Sequence, residues 1–127
     1  MSGRLLTSLR AEQTIQLWMQ ANRARRELER ELQRHDLSFS LWWVLYATHR
    51  LIVDTGDAVS QRDVSLRTEL DKATISYLMG VLSERGLVDR APAFGWLSYR
   101  IWVTSKGEAL LLRVRESIER APIPAAP

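Results

Sequence analysis

The sequence predicts a mainly α-helical domain with one small β-hairpin, and three observations support this fold class. Apolar residues recur every three to four positions along most of the chain, which is the helical period. After Gly86 the apolar period changes from 3.6 to 2, which is typical of strands. The chain has 127 residues, of which 46% are hydrophobic and 26% charged. It is therefore long enough for one compact core and too apolar to be disordered.

A long first helix is predicted over residues 5–33, which contain neither proline nor glycine. Five apolar or small residues at spacings of three and four form one stripe on this helix, namely Leu17, Ala21, Ala24, Leu28 and Leu32. Arginine and glutamate alternate on the other side, as on a helix face in water. The stripe is expected to pack against another helix.

A second helix is predicted from an N-cap at Ser38 to about residue 53. Trp42, Tyr46 and His49 share one face of it, and Trp43 and Arg50 share another. This aromatic surface is larger than a single core contact requires. Two interpretations stay open: burial of the helix on most sides, or contact with a partner or ligand.

Residues 60–90 predict two short helices joined by a tight turn. Ser60 caps a helix over residues 61–67, and Asp71 caps another over residues 72–85. Gly86 supplies the left-handed conformation that ends the second one. Because only residues 68–70 separate them, the pair is a helix-turn-helix.

A β-hairpin and a last helix follow. Residues 87–91 and 98–103 alternate as strands around a turn at residues 92–97. Thr104 or Ser105 then caps the last helix, and Ser105 with Glu108 has the spacing of a capping box. Three prolines in the last seven residues predict a disordered tail over residues 121–127.

Several function classes are excluded or disfavoured by residue content. The chain has no cysteine, so it has no disulfide, thiolate metal site or thiol nucleophile. His35 and His49 are the two histidines, and they have no convincing third metal ligand. Because a glycine-rich phosphate loop and a catalytic triad motif are also missing, we expect no enzyme, no metal and no cofactor. No apolar run reaches membrane-spanning length, and the first ten residues lack a secretory signal, so a cytoplasmic location is expected.

Charge favours a polyanionic partner, although unevenly along the chain. The net charge is +3 and the isoelectric point is near 9.8. Residues 1–35 carry a net +3 and residues 91–127 a net +2, whereas residues 36–90 carry a net −2. The predicted helix-turn-helix therefore lies in the acidic part of the chain.

The order of the predicted elements, together with three sequence segments, resembles the MarR family of winged helix-turn-helix transcription regulators. The segments are LSFSLWWVLYAT, SQRDVSLRTELDKATISYLMGVLSERGLVDR and VTSKGEALL, and the resemblance covers about residues 37–112. It implies one structural domain with four parts: an N-terminal dimerisation helix (1–35), a winged helix-turn-helix (36–104), a C-terminal helix (105–120) and the tail.

The resemblance implies a homodimeric repressor that binds an inverted repeat in double-stranded DNA. The expected DNA-contacting residues lie on the helix-turn-helix and the hairpin: Arg62, Arg67, Lys72, Ala73, Thr74, Ser76, Tyr77, Arg90, Trp96 and Arg100. The dimer contacts are expected at the two ends of the chain: Leu5, Leu6, Leu9 and Ile118. A pocket for a small aromatic effector is expected from Trp18, Trp42, Tyr46, His49 and Arg50, with Arg50 pairing with a carboxylate.

The chain also departs from the family pattern. The family commonly has basic residues where this chain has Tyr77, Val81 and the apolar segment 95–97. Fewer phosphate contacts predict weak nonspecific affinity and a flat salt dependence. An alternative function is therefore a winged-helix module that binds protein through an apolar surface comprising Tyr77, Val81, Trp96, Leu97 and Trp102.

Overall fold

The structure, a computed structural model, describes residues 8–92 and 99–123. It contains α1 (Leu9–Gln33), α2 (Phe39–Thr55), α3 (Gln61–Thr68), α4 (Lys72–Glu84), β1 (Val88–Pro92), β2 (Tyr99–Val103) and α5 (Ser105–Arg120). The predicted mainly helical fold with one hairpin is confirmed. The expectations for Leu5, Leu6, Trp96 and Leu97, and for most of the hairpin turn and the tail, lie outside the described residues.

Short polar residues begin the helices largely where the sequence places them. Ser38, Ser60 and Asp71 have extended backbones, and each side chain accepts a hydrogen bond from a first-turn N–H group. The predicted start of α1 at residue 5 is wrong. Ser8 is extended and accepts a hydrogen bond of 3.1 Å from the Ala11 N–H, so α1 begins at Leu9.

The cap of α5 also differs from the predicted capping box. Ser105 is the first helical residue, and the N-cap is Thr104, whose Oγ1 accepts a hydrogen bond from the Gly107 N–H at 3.0 Å. The Thr104 hydroxyl also donates to the Gly86 carbonyl oxygen at 2.6 Å. Thr104 therefore ties the start of α5 to the end of α4, which Ser105 cannot do from inside the helix.

The core is built around α2, which packs against the four other described helices and β2. Its buried members come from every helix and both strands, and the largest of them are Leu32, Leu45, Ile75, Met79, Leu82 and Ile101. Burial of this apolar surface is the main force that holds α3, α4 and the hairpin in one orientation. The helix-turn-helix is thus presented by a rigid base.

The hairpin is antiparallel, with Val88 opposite Val103 and Pro92 opposite Tyr99. Ile101 and Val103 are buried, whereas Arg100 and Trp102 on the other face of β2 are exposed, as the alternation predicts. Val59 extends the sheet because its backbone exchanges two hydrogen bonds with Ile101, at 3.0 and 2.7 Å. This bridge fixes the segment before α3 against the base of the hairpin.

The turn between α1 and α2 makes contacts with both α4 and α5. Asp36 has a positive φ of 57°, and its carbonyl oxygen accepts a hydrogen bond from Arg85 Nη2 at 2.6 Å. His35 Nε2 lies 2.8 Å from Ser117 Oγ. The turn therefore connects the C-terminal end of α4 to the first and last helices.

The first half of α1 is the least buried part of the described fold. Leu17 and Trp18 are 60% and 65% exposed, and Leu9, Ile15 and Met19 are exposed too. The predicted stripe is buried against the core only at its end, where Leu28 is half-buried and Leu32 fully buried. An apolar helix surface is thus left uncovered by residues 8–92 and 99–123.

Two kinds of feature are absent from residues 8–92 and 99–123. None of the helices there is both long and apolar enough to cross a membrane. That part of the chain also contains no cluster of three or more histidine, aspartate or glutamate side chains suited to a metal ion.

Candidate nucleic-acid interface

The turn between α3 and α4 is held by side-chain hydrogen bonds. Glu69 has a positive φ of 61°, and its N–H group donates to the Ser65 carbonyl oxygen. The Ser65 hydroxyl donates to the Leu70 carbonyl oxygen at 2.6 Å. The buried Thr68 hydroxyl donates to the Val64 carbonyl oxygen at 2.8 Å and accepts from the Leu70 N–H. These bonds fix the angle between the two helices of the helix-turn-helix.

Helix α4 has one buried and one exposed face. Ile75, Leu78, Met79 and Leu82 form the buried face. The outer edge of α4, defined here as Lys72, Ala73, Ser76 and Tyr77, is exposed, and Tyr77 is 71% exposed. Thr74 is half-buried beside this edge. The predicted base-reading residues of α4 are therefore brought together on an accessible surface.

Asp71 caps α4 as a charged group. Its Oδ1 accepts a hydrogen bond of 2.7 Å from the Thr74 N–H. Hydrogen bonds from the Thr74 N–H and then from the Thr74 hydroxyl lower the pKa of Asp71 below its ordinary value. One of the first-turn N–H groups of α4 is thus already used by a carboxylate and is not free to bind a phosphate.

The five basic residues expected to contact DNA fall into two groups. Arg62 and Lys72 are exposed and Arg90 half-buried, and none of them is ion-paired within the described part of the chain. The Arg90 guanidinium lies 5.1 Å from the centre of the Tyr99 ring. The other two, Arg67 and Arg100, are engaged by acidic residues.

Both acidic partners come from the segment at the end of α2. Asp54 lies 3.5 Å from Arg67 Nη2 and also 3.5 Å from Arg50 Nη2. Asp57 lies 2.8 Å from Arg100 Nη2 and accepts a bond of 2.7 Å from the Ala58 N–H. The Ala58 hydrogen bond, followed by Arg100, lowers the pKa of Asp57. Sequence reasoning missed both carboxylates as part of this site.

A cavity of about 470 Å³ lies among α3, the start of α4 and β2. Its lining includes the side chains of Arg62, Lys72 and Tyr99. The Gln61 Oε1 atom is buried there without a hydrogen-bond partner among the residues described. Gln61 and Tyr99 were not predicted as site residues, because their proximity depends on how the hairpin packs against α3.

A second cavity, of about 500 Å³, lies between α2 and α5. Four predicted effector-pocket residues line it, namely Trp42, Tyr46, His49 and Arg50. Trp42 stacks on Tyr46 with ring centres 5.4 Å apart. The opposite wall comes from α5 and includes Leu111, Arg115 and Ile118. Including Trp18 in this pocket was wrong, because Trp18 lies on the exposed half of α1 and does not line the cavity.

The structure describes only some of the residues expected at the dimer contact and at the alternative protein-binding surface. Leu9 is exposed at the start of α1, whereas Ile118 is half-buried beside the α2–α5 cavity. Of the alternative apolar surface, Tyr77 is exposed, Trp102 is 40% exposed and Val81 is half-buried. Tyr77 and Trp102 therefore remain accessible to a partner.

Comparison with known proteins gives a partial similarity to one family and a shared fold. A family model described as MarR family matches residues 35–93, which include α2, the helix-turn-helix and β1. No curated protein matches the chain.

Several solved structures have the same fold. A MarR-family transcriptional regulator from Rhodococcus sp. RHA1 is 22% identical with a TM-score of 0.74, over 89% of this chain and 77% of the other. AbsC, a MarR-family transcriptional regulator from Streptomyces coelicolor, is 18% identical with a TM-score of 0.74, over 91% and 78% of the two chains. A cysteine-to-serine mutant of MarR from E. coli in complex with operator DNA is 16% identical with a TM-score of 0.69, over 88% and 79%.

These findings agree with the geometry described above. The family model covers the helix-turn-helix itself, and the structural similarity extends over about nine-tenths of the chain. The chain is therefore similar to the MarR family over residues 35–93, and its fold is that of solved winged-helix regulators of that family.

Proposed function

We propose that the protein is a sequence-specific transcription regulator that binds double-stranded DNA as a homodimer. The observation that carries this proposal is the outer edge of α4, which projects from a rigid helix-turn-helix and is accessible along its length. An α-helix fits the major groove of B-DNA, where base edges can be read. The E. coli MarR mutant crystallised with operator DNA has the same fold, which supports this use.

Charge around α4 determines how tightly DNA is held. Arg62, Lys72 and Arg90 supply positive charge that no described acidic residue neutralises. Arg67 and Arg100 contact phosphates only after leaving Asp54 and Asp57. Each phosphate contact contributes a salt-dependent part of the affinity. We therefore expect nonspecific binding to be weak, with specificity coming from base contacts.

Dimerisation would cover the exposed half of α1. Leu9, Leu17 and Trp18 leave an apolar surface on this half that no described residue covers. Symmetry would then place two copies of α4 about 34 Å apart, on successive turns of one face of the duplex. The proposed operator is consequently an inverted repeat.

The α2–α5 cavity is the proposed effector site. The stacked rings of Trp42 and Tyr46 suit a flat aromatic ligand, and Arg50 and Arg115 are cations at the same cavity. Arg50 is held loosely by Asp54 at 3.5 Å, and Asp54 also faces Arg67. A carboxylate bound to Arg50 would therefore change the surroundings of a proposed phosphate contact. Repression relieved by such a ligand is the proposed mode of regulation.

DNA binding is tested by measuring the Kd of the purified protein for random duplex DNA at two salt concentrations. The same protein is then used to select fragments from a random-sequence pool. Binding that weakens with salt, together with an enriched inverted repeat, supports the proposal. No affinity in dilute buffer would refute it.

The second candidate function is protein binding by the same fold. It is favoured by two exposed aromatic side chains, Tyr77 on α4 and Trp102 on β2. Substituting each of them singly with serine separates the candidates in one DNA-binding assay. A DNA-binding regulator is expected to lose affinity in Tyr77→Ser and to keep it in Trp102→Ser, whereas a protein-binding module has no DNA affinity to lose.

A further inference from the structure

Helix α4 lacks the side chains that form paired hydrogen bonds with purines. Its sequence, KATISYLMGVLSE, contains no arginine, asparagine or glutamine. Arginine commonly reads guanine, and asparagine or glutamine reads adenine, through two hydrogen bonds each. Lys72, at the first position of the helix, is its one cation. Base recognition by α4 would therefore depend mostly on contacts other than paired hydrogen bonds to purines.

Besides Lys72 and Ser76, the outer edge of α4 exposes apolar groups. Tyr77 is 71% exposed, and Ala73 lies one turn before it on the same side of the helix. The Tyr77 ring and the Ala73 methyl group therefore form one apolar line along the outer edge. In the major groove only thymine presents an apolar group, its 5-methyl.

Gly80 provides a second, independent observation on the same side of α4. It lies three residues after Tyr77 in the helix, and a Cβ added to it would meet no atom of the described residues within 4 Å. Its φ is not in the left-handed region, so the backbone does not require glycine there. Alanine would stabilise the helix more. Folding therefore gives no reason for this glycine, whereas close approach of a duplex to the helix backbone does.

We infer that α4 recognises thymine through its 5-methyl group, with Tyr77 as the contacting residue and Gly80 admitting the duplex backbone. This inference rests on the proposed DNA-binding function and names the base chemistry that the site reads. It places thymine in each half of the operator, opposite Tyr77.

The direct test compares two duplexes of one sequence. The sequence is the one selected by the wild-type protein from a random pool, and one copy carries deoxyuridine in place of every thymidine in the half-sites. Uracil pairs as thymine does and lacks only the methyl group. Each buried methyl contributes a factor of about four. An operator with one contacted methyl per half-site is therefore expected to bind about sixteenfold more weakly as the uracil form.

One control duplex and two contrary outcomes define how the result is interpreted. Uracil placed only in the flanking sequence is expected to leave the Kd unchanged. Equal affinity of the wild-type protein for the selected duplex and its half-site uracil form would overturn the inference while leaving DNA binding intact. Absence of binding to any duplex would instead refute the proposed function, and the inference with it.

Variants of Tyr77 test whether this residue contacts the thymine methyl group. Tyr77→Phe retains the ring and is expected to keep the preference for thymine over uracil, whereas Tyr77→Ala is expected to abolish it. Glu84→Ala, at the exposed last residue of α4 and outside its outer edge, is the control and should keep the preference. Loss of the preference in Tyr77→Phe would show that the hydroxyl reads the base, which contradicts methyl recognition.

Gly80→Ala separates binding from folding. It is expected to raise the melting temperature and to weaken binding of the selected duplex. Undiminished affinity in this stabilised variant would overturn the assignment of Gly80 to backbone approach.

Discussion

At the scale of single residues, Asp71 connects helix capping to pH. Hydrogen bonds from Thr74 lower the pKa of Asp71 in the folded protein. The folded state then binds a proton less readily than the unfolded state, so Asp71 stabilises the fold above its ordinary pKa of about 3.9. That contribution is lost as the pH falls through the lowered pKa.

The variant Asp71→Asn tests this sign, because asparagine also caps helices but does not titrate there. Below a pH of about 4, the melting temperature of the wild type is expected to fall more steeply than that of the variant. Parallel curves from neutral to acidic pH would contradict the role of the Asp71 charge.

With the proposed DNA binding, Asp57 is expected to compete with a phosphate for Arg100. The carboxylate lies 2.8 Å from Arg100 Nη2, and the Val59–Ile101 bridge holds the two segments together. In Asp57→Asn, Arg100 is released to contact a phosphate, so DNA affinity should rise and the salt-dependence slope should steepen by about one. Binding is measured across a salt series.

The matched control for this release is Asp89→Asn. Asp89 is an exposed carboxylate on β1 without an ion pair in the described structure, so its substitution removes the same charge without releasing an arginine. A steeper slope in both variants would attribute the effect to net charge rather than to Arg100. The Asp57–Arg100 pair could not be predicted from sequence, because only the fold brings the α2–α3 loop to β2.

At the scale of elements, two helical glycines have opposite roles. A Cβ on Gly107 would collide with the Leu87 carbonyl oxygen and lie 2.7 Å from Val103 Cγ1, so glycine lets α5 start against the hairpin. Gly107→Ala is expected to destabilise the fold by about 1–3 kcal/mol through overpacking. Urea unfolding monitored by circular dichroism measures this loss.

Gly80→Ala is the counterpart in α4, where a Cβ meets open space. It is expected to stabilise the fold by about 1 kcal/mol, which raises the melting temperature by about 4 °C for a chain of this size. A destabilised Gly80→Ala protein would mean that α4 needs glycine for packing.

The sequence predicted most elements because their signals are local. Ser38, Ser60 and Asp71 each come just before a segment predicted as a helix, so they could be identified as N-caps. Gly86 has the left-handed conformation expected of it, with a φ of 72°. The cap of α5 was harder, because Thr104 and Ser105 both suit an N-cap. In the structure Thr104 is the N-cap, and its hydroxyl also donates a hydrogen bond to Gly86. The local sequence gives no indication of this tertiary hydrogen bond.

At the scale of the whole molecule, the relation between helices was only partly predictable. Trp42, Tyr46, His49 and Arg50 line one cavity, and the sequence could group them because they lie on one helix, α2. Trp18 was misplaced because periodicity within α1 carries no information about where α1 crosses α2. The α5 wall of the same cavity was missed for this reason too.

The proposed dimer depends on the exposed half of α1. Leu17 and Trp18 are exposed apolar residues on α1, and the proposed homodimer covers them. Two charges at this surface, in the double variant Leu17→Glu and Trp18→Glu, are therefore expected to give a folded monomer, because an unpaired charge inside an interface costs several kcal/mol. Light scattering after size-exclusion chromatography measures the mass.

The control for this variant is Val53→Glu, at an exposed valine near the end of α2 that is not part of the α1 surface. It should remain dimeric. Because a monomer has one α4 instead of two, the α1 variant should also lose affinity for an inverted repeat far more than for random duplex DNA. A wild-type protein that is monomeric at every concentration, or a double variant that stays dimeric, would show that the exposed half of α1 is not the dimer contact.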